Sequence, residues 1–216
     1  MAQRLSAGRI EFRDVSAHHG RVAAVVGASL IAEPGERVAV VGANGSGKST
    51  LLRCLLCLHP GAMGGQVLLD GVLATTGAQV RDRRARIAHI PQRPPVGRFP
   101  FRVGELLDSS GARDAARNAA RDLGLAGLMD RPVDTLSGGQ VQRAFLARAI
   151  GCVAAGAVAI AADEPTSALD FDGQDEVARV LLGLGVTTLL VTHDDALARR
   201  CDRRVTMAAG RLREER

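Results

Sequence analysis

A glycine-rich segment in the first quarter of the chain has the residue types and spacing of a loop that binds phosphate. It follows the pattern GxxxxGK(S/T) and comprises Gly42, Ala43, Asn44, Gly45, Ser46, Gly47, Lys48 and Ser49, with Thr50 directly after it. Glycines allow consecutive backbone N–H groups to close around phosphate oxygens, and a helix that begins at the loop adds the positive end of its dipole. The pattern predicts that Lys48 contacts the β- and γ-phosphates of a nucleotide and that the Ser49 hydroxyl binds Mg²⁺.

Lys48 is also the single lysine in a chain whose 28 basic residues are otherwise all arginine. A position that departs from so strong a bias is expected to need a compact ammonium group rather than a planar guanidinium. The composition therefore supports the assignment of Lys48 to a phosphate site.

Two carboxylates stand at the end of a later apolar run. Residues 157–162 contain only Ala, Val and Ile, and Asp163, Glu164 and Pro165 follow them. Such a run predicts a buried strand, and α/β sheets bind ligands at the C-terminal ends of their strands. Asp163 suits the outer coordination shell of Mg²⁺, and Glu164 suits a general base that activates or orients the attacking water.

A second candidate anion site begins at residue 136. Its residues are Leu136, Ser137, Gly138, Gly139 and Gln140, and the segment VQRAFLARAI follows them. The serine and the glycines are expected to open a helix, whose N–H groups and hydroxyl can hold an anion. This LSGGQ sequence, together with the helix after it, resembles the signature motif of the ABC family of ATPases.

Other motifs similar to those of that family follow in the family's order, so that the resemblance covers essentially the whole chain. Gln92, in a proline-rich segment, resembles the Q-loop glutamine, and His193 in VTHD resembles the switch histidine. The segment that resembles the D-loop comprises Ser167, Ala168, Leu169 and Asp170. The resemblance implies an ATPase with a P-loop NTPase (RecA-like) core and with ATP and Mg²⁺ as cofactors.

The resemblance also assigns roles. It implies a homodimer in which the signature motif of one subunit closes over the γ-phosphate held by the phosphate loop of the other. It implies that Gln92 senses the γ-phosphate, the metal and the transporter, and that His193 holds the γ-phosphate and the attacking water. The expected catalytic residues are then Lys48, Gln92, Glu164 and His193, and the expected Mg²⁺ site comprises Ser49, Gln92 and Asp163.

One position departs from the family pattern. Members usually carry a tyrosine or similar aromatic residue near the N-terminus that stacks on adenine, whereas this chain has no Tyr or Trp and has His19 at the matching position. Imidazole stacks more weakly than a larger aromatic ring. We therefore expect His19 to face adenine and to select the base less strongly.

The elements that must position these residues are predicted from periodicity and turn residues. Residues 10–15 and 22–30 read as strands, with a turn at His18, His19 and Gly20, and residues 37–41 as a buried strand before the phosphate loop. A helix is expected from about 49 to 58, a hairpin at 66–73 and a short strand at 87–90. Strands at 158–162 and 187–191 are expected to flank a helix at about 173–184.

The helical segments in the middle of the chain predict an insertion. Residues 103–128 are rich in Ala, Arg and Leu at helical spacing, and a second helix is expected from about 139 to 150. The predicted fold is α/β, with an N-terminal antiparallel β subdomain and an inserted α-helical subdomain. We expect one ABC ATPase domain over residues 1–216, with its core at 1–91 and 151–216 and the helical subdomain at about 92–150.

The composition narrows the class of protein. With 46% apolar and 24% charged residues, the chain is expected to be globular rather than disordered. Its net charge of +5 is not arranged in basic blocks interleaved with aromatics, so no nucleic-acid partner is expected. Cys54 and Cys57 form a CxxC inside an apolar helical run without a second pair, which favours core packing over metal binding.

No segment reads as a signal peptide or as a membrane helix, since the uncharged stretch 149–162, which is mostly Ala and Gly, is shorter than the roughly 20 residues that span a bilayer. We therefore expect the chain at the cytoplasmic face of the membrane, attached through a permease. Non-transport ABC proteins generally carry two such domains or long coiled-coil insertions, and this chain has neither.

One segment of the sequence indicates which class of substrate the transporter would move. The segment from Ile90 to Leu107 resembles the loop that meets the permease in zinc, manganese and iron-chelate importers, which implies metal import with a permease and a solute-binding protein as partners. Phe99 and Phe101 are then permease contacts, although packing under the helical subdomain remains the alternative. Another importer class, an exporter and a non-transport ABC ATPase also remain open.

Overall fold

The computed structural model describes residues 7–92 and 101–214. Within these ranges the strands are β1 Ile10–His19, β2 Val22–Ala32, β3 Arg37–Val41, β4 Met63–Leu69, β5 Val72–Leu73, β6 Ile87–Ile90, β7 Ala159–Asp163, β8 Thr187–Thr192, β9 Arg203–Ala208 and β10 Arg211–Glu214. The helices are α1 Lys48–Leu55, α2 Gly77–Arg86, α3 Val103–Asp108, α4 Arg113–Asp122, α5 Gly138–Ala154, α6 Phe171–Leu182 and α7 Asp195–Ala198.

Two sheets form the core. One is antiparallel, in the order β2-β1-β4-β5, and the other has the order β10-β9-β3-β8-β7-β6. In the second sheet β9, β3, β8, β7 and β6 are parallel to their neighbours, and only the pairing of β10 with β9 is antiparallel. The predicted α/β fold with an N-terminal antiparallel β subdomain is thus confirmed.

The three central strands of the second sheet, β3, β8 and β7, are buried on both faces. Every residue of β8 is buried, as are the first four of β7 and the last four of β3. One apolar cluster lies between the two sheets and includes α1, and the other joins the sheet to α3, α4, α5 and α6. Asp163 and Thr192 are polar residues at the C-terminal ends of two of these strands, β7 and β8.

The helical insertion is present as expected, with small differences in its bounds. Helices α3 and α4 pack on α5, which begins at Gly138 and continues to Ala154, past the expected end near residue 150. The structure also contains α2, α7, β9 and β10, which the periodicity did not indicate. Helix α2 lacks an apolar stripe, since its one buried residue is Arg83, and it begins with a capping box between Thr76 and Gln79.

The predicted turn at His18, His19 and Gly20 is wrong by two residues. Strand β1 continues through His19, and His18 and His19 pair with Ala23 and Val22 of β2. The turn instead falls at Gly20 and Arg21, because Gly20 adopts a positive φ of 60° that a residue with a Cβ rarely takes.

Cys54, the absence of a predicted membrane helix and the proline-rich loop are the remaining sequence expectations. Cys54 is buried in α1 within the apolar cluster between the sheets. Among the described residues, no helix is long and apolar enough to cross a membrane. Phe99 and most of the proline-rich loop lie outside the described residues, whereas Phe101 is half-buried against the helical cluster.

Candidate functional site

The glycine-rich loop connects the end of β3 to the start of α1. Close backbone approaches make glycine necessary at two of its positions: a Cβ at Gly42 would lie 2.2 Å from the carbonyl oxygen of Met207, and a Cβ at Gly47 would lie 2.1 Å from that of Ala24. Gly47 also has a φ of 108°. The strand, glycine loop and helix that the motif requires are therefore all present.

Lys48 and Ser49 lie at the first turn of α1 and point toward the loop and toward β7. The Nζ of Lys48 donates to the carbonyl oxygens of Gly42 at 2.6 Å and Ala43 at 3.1 Å. The Ser49 hydroxyl donates to Oδ1 of Asp163 at 3.1 Å, which joins the phosphate loop to the end of β7. Burial raises the pKa of the Asp163 carboxyl, and the hydrogen bond from Ser49 opposes that rise.

A cavity of about 520 Å³ opens above the loop. It is lined by His19, Val22, Ala23, Ala24, Asn44, Gly45, Gly47, Lys48, Ser49, Thr50, Gln92 and Glu164. This volume lies within the range of pockets that hold small molecules and cofactors. The cavity brings residues of the loop, of β1 and β2, of the segment after β6 and of the end of β7 to one place.

His19 occupies the β1 side of this cavity. Its Nε2 lies 3.3 Å from the Thr50 hydroxyl, and the ring of His59 meets it edge to face with the centroids 4.9 Å apart. The Nε2 of His59 lies 3.0 Å from the carbonyl oxygen of His18. Contacts with His59 and Thr50 therefore fix the plane of the His19 ring at the edge of the cavity.

Glu164 is buried at the end of β7 in an unusual conformation. Its φ is 49°, which a residue with a side chain adopts only when its surroundings hold it. Its Oε2 accepts from the hydroxyl of Thr192 at 3.1 Å and from the backbone N–H of His193 at 3.3 Å, and it lies 2.9 Å from Nδ1 of His193. The ends of β7 and β8 thus bring the two expected catalytic side chains together.

The LSGGQ segment lies at a different place on the molecule. Ser137 caps α5 by accepting from the N–H of Gln140 at 3.3 Å, while the side chain of Gln140 accepts from the N–H of Ser137 at 3.0 Å. Ser137 and Gly138 are exposed. Leu136 and the other four residues of the segment are absent from the lining of the cavity that holds Lys48.

The segment from Ser167 to Asp170 packs directly behind the LSGGQ glycines. A Cβ at Gly138 would lie 2.8 Å from Cβ of Ala168, and one at Gly139 would lie 2.9 Å from Cδ2 of Leu169. Asp170 caps α6 by accepting from the N–H of Gly173 at 3.1 Å. These glycines are therefore needed for close packing within the chain as well as for an exposed helix start.

Comparison with known proteins decides the family. The family model described as ABC transporter matches residues 25–167, which is more than half of the chain. This chain belongs to the ABC transporter family. ATP hydrolysis is characteristic of its ATP-binding cassettes, and the chain is an ATPase.

Relatives of this ABC ATPase include both importer and non-importer subunits. The hemin import ATP-binding protein HmuV of Bradyrhizobium diazoefficiens is 37% identical over 94% of this chain and 81% of the relative. The lipoprotein-releasing system ATP-binding protein LolD 1 of Caulobacter vibrioides is 37% identical over 86% of this chain and 85% of the relative.

A solved structure of similar shape is the dimeric bacterial ABC transporter cassette MJ0796. It superposes with a TM-score of 0.85 at 27% identity, over 96% of this chain and 98% of that one. A post-hydrolysis form of the same cassette, bound to ADP and Pi, superposes with a TM-score of 0.83. The predicted P-loop NTPase core is confirmed by this similarity.

The residues at the site of the ABC ATPase fit ATP and Mg²⁺. An ammonium group has three donor hydrogens, and Lys48 uses two of them on loop carbonyls, which leaves one for a phosphate oxygen. A serine hydroxyl beside a carboxylate is the type of oxygen pair that Mg²⁺ prefers, and Ser49 and Asp163 form such a pair. Gln92 is exposed at the rim of the same cavity.

Sequence reasoning missed three polar residues that support the site: Thr192, Gln142 and His59. Thr192 is completely buried and binds Glu164, and Gln142 is a buried amide on the apolar side of α5. A polar residue among apolar neighbours was the available signal for Gln142, since buried polar groups need partners. His59 follows the end of α1, and its contact with His19 depends on tertiary structure alone.

Proposed function

We propose that this ABC ATPase is the motor subunit of a transporter, that it binds ATP and Mg²⁺ at composite sites of a head-to-tail homodimer, and that it drives a separate membrane permease. The observation that carries this proposal is the separation of the exposed Ser137 cap from the cavity that contains Lys48. One chain then has both halves of a phosphate site but cannot close them on one ATP. A second copy, oriented head to tail, supplies the missing half of each site.

The chemistry at each site follows from the positions of the side chains. Lys48 binds the β- and γ-phosphates, and Ser49, Gln92 and Asp163 hold Mg²⁺, which when bound neutralises charge on the phosphate oxygens. Glu164 accepts a proton from the attacking water. His193, whose side chain is 61% exposed and lies against Glu164, reaches toward the γ-phosphate and keeps the water in line.

We place the helical subdomain at about residues 92–150. The permease is proposed to dock in a groove between this subdomain and the sheet. This groove has a volume of about 600 Å³, and its lining includes Leu58, Phe101, Leu106, Phe145 and Arg148. Burial, with Arg148 and Arg53 nearby, lowers the pKa of His89 in the groove to about 4, so this imidazole is neutral at pH 7. An apolar pocket with a basic rim suits a short helix of a membrane protein.

Metal import is the proposed cargo class, with a solute-binding protein as a third component and the complex at the cytoplasmic face of the membrane. The loop before Leu107 and the hemin-import relative support it. Lipoprotein release is the second candidate, because the relative from that system has the same identity to this chain. Neither candidate function involves nucleic acid.

Purification of the tagged chain from detergent-solubilised membranes tests the transporter assignment. We expect an integral-membrane protein to co-purify in constant ratio and to be lost with Phe101→Asp, whereas Val72→Asp, at an exposed apolar position on β5, keeps it. Full recovery of the chain without any membrane protein would overturn the assignment. In a strain that lacks the gene, loss of iron or zinc uptake supports metal import, and retention of lipoproteins in the inner membrane supports the second candidate.

A further inference from the structure

The side chain of Gln142 joins three parts of the molecule. It lies on α5, five residues after the Ser137 cap, and it is 4% exposed. Its Nε2 donates to the carbonyl oxygen of Glu164 at 3.1 Å and to Oγ of Ser167 at 3.2 Å. Its Oε1 accepts from the N–H of Ala168 at 3.2 Å. Both the amide nitrogen and the amide oxygen of Gln142 therefore make hydrogen bonds.

These contacts hold the backbone of Glu164. The carbonyl oxygen of Glu164 accepts from Gln142, from the Ser167 hydroxyl at 3.1 Å and from the Ser167 N–H at 3.3 Å. The φ of Glu164 is 49°, which costs free energy for a residue with a Cβ and persists only where neighbours hold it. This backbone conformation also sets the direction of the Glu164 side chain toward Thr192 and His193.

The same amide connects Glu164 to the residues that face the second ATP. Gln142 and Ser137 are on one continuous helix, and the glycines after Ser137 pack on Ala168 and Leu169. The buried side chain of Gln142 therefore links the helix that begins after Ser137 to Ala168 and to the Glu164 carbonyl by hydrogen bonds. Polar groups so buried hold their partners strongly, because a broken bond leaves an unsatisfied group.

We propose that Gln142 is a positioning residue, which transmits the state of the signature segment at one ATP site to the Glu164 carboxylate at the other. It touches neither ATP nor water. Its effect is to keep Glu164 aligned for proton transfer when the signature segment is seated, so that hydrolysis at the two sites is linked. This inference rests on the proposed composite-site mechanism.

The first test replaces the amide with an apolar side chain of similar length. Gln142→Met should lower kcat for ATP hydrolysis about tenfold or more, because a small misplacement of a catalytic group is that costly. KM for ATP should change less than about twofold, since the phosphate loop is untouched. The matched control is Gln174→Met, because Gln174 also donates to a D-loop carbonyl, that of Leu169 at 3.1 Å, but makes no contact with Glu164.

The second test separates loss of the donor from loss of packing. Gln142→Glu keeps the shape and the acceptor for the Ala168 N–H, but the ionised carboxylate cannot donate to the Glu164 carbonyl. Because burial disfavours the charged form of a carboxyl, we expect a raised pKa for the introduced glutamate, so that lowering the pH restores an O–H donor. The ratio of kcat for Gln142→Glu to kcat for Gln142→Met should rise as the pH falls from 8 to 6.

Folding and the parent mechanism are checked separately. In the Glu164→Gln background, Gln142→Met should still form the ATP-bound dimer, because Ser137 and Lys48 are intact. Wild-type kcat for Gln142→Met, or an equal loss in Gln174→Met, or a pH-independent ratio, would overturn the role of Gln142 alone. Wild-type hydrolysis by Glu164→Gln would instead overturn the proposed function.

Discussion

Nδ1 of His193 lies 2.9 Å from Oε2 of Glu164, and the two side chains differ sharply in exposure, at 61% and 6%. The buried carboxylate is held by the end of β8, whereas the imidazole reaches solvent. Glu164 is therefore the more enclosed member of the pair, and the proposed mechanism assigns the contact with a bound phosphate to the exposed His193. The residue that fixes Glu164 from within β8 is Thr192.

Removal of the Thr192 hydroxyl should misalign Glu164. Thr192 Oγ1 donates to Glu164 and accepts from the N–H of Asp194 at 3.0 Å. We expect Thr192→Val to lower kcat about tenfold and to reduce the free energy of unfolding by about 1 kcal/mol. Steady-state assays and urea denaturation measure both. Thr188→Val is the control, since among the described residues that hydroxyl donates to the carbonyl of Val186, directly before β8, and not to Glu164; an equal loss of kcat there would refute the role of Thr192.

Lys48→Ala should abolish hydrolysis and weaken ATP binding. The change removes the ammonium group that the loop carbonyls of Gly42 and Ala43 hold in place, and it leaves the backbone N–H groups of the loop intact. ATP binding should therefore survive in part, but no ammonium group then balances the negative charge of the β- and γ-phosphates. Assays of phosphate release and titration with a fluorescent ATP analogue measure the two effects. Undiminished hydrolysis would contradict the phosphate-loop assignment.

His19→Ala should weaken ATP binding about tenfold or less, because a stacked imidazole contributes on the order of 1 kcal/mol. His19 lines the cavity, and the edge contact with His59 fixes its ring. His18→Ala is the control, since it keeps the backbone carbonyl that contacts His59. Titration with a fluorescent ATP analogue decides the matter, and unchanged affinity in the His19 variant would mean that another residue faces adenine.

The ion pair of Arg37 and Asp202 should make the free energy of unfolding depend on pH. Arg37 lies at the start of β3, and its hydrogen bond holds the pKa of the Asp202 carboxyl at about 2, below its ordinary value. A pKa lowered by folding stabilises the fold above the ordinary pKa near 4, and this stabilisation is lost as the pH falls toward 2. Since the Asp202 side chain is 41% exposed, its contribution is about 1 kcal/mol or less.

Urea denaturation of wild type and Asp202→Asn tests this dependence. The variant should be less stable at pH 7, and the difference should shrink between about pH 4 and pH 2. Asp175→Asn, which removes the more exposed pair with Arg200, should change stability little. A difference that grows as the pH falls would contradict the expected sign.

Much of the fold could be predicted because its sheet is buried on both faces. Strands β3, β6 and β8 coincide with the apolar or β-branched runs from which they were predicted, so their observed bounds lie within one residue of the predicted bounds. Helix α2 could not be predicted, because its only buried side chain is Arg83, which donates to the carbonyls of Val67 and Val72 rather than packing in an apolar stripe. Such contacts depend on tertiary structure.

The candidate site likewise contains residues that local sequence patterns predict and residues that only tertiary structure reveals. Local motifs predicted Lys48, Ser49 and Glu164, because a phosphate loop and a strand end are short-range patterns. The contacts of Gln142 and Thr192 with Glu164 join α5 and β8 to β7, so only tertiary structure brings them together. The roles assigned to Gln92 and to the signature residues stay predictions that the dimer experiments address.

Ser137 is the residue through which the proposed composite site is tested. Ser137 caps α5 at an exposed position away from the cavity of its own chain. If its hydroxyl contacts the γ-phosphate held by another copy, its removal should weaken the dimer without affecting the phosphate loop of either monomer. Glu164→Gln removes the basicity of the side chain and should slow hydrolysis by roughly 10²-fold or more, so the ATP-bound dimer accumulates.

The most direct measurement is the molar mass by light scattering of Glu164→Gln and of Glu164→Gln with Ser137→Ala, at high protein concentration, with and without millimolar ATP and Mg²⁺. We predict that the single variant doubles its mass only with ATP and Mg²⁺, and that the double variant dimerises more weakly while it binds ATP as a monomer. A Glu164→Gln protein that stays monomeric under these conditions, even with its permease present, would contradict the composite-site mechanism.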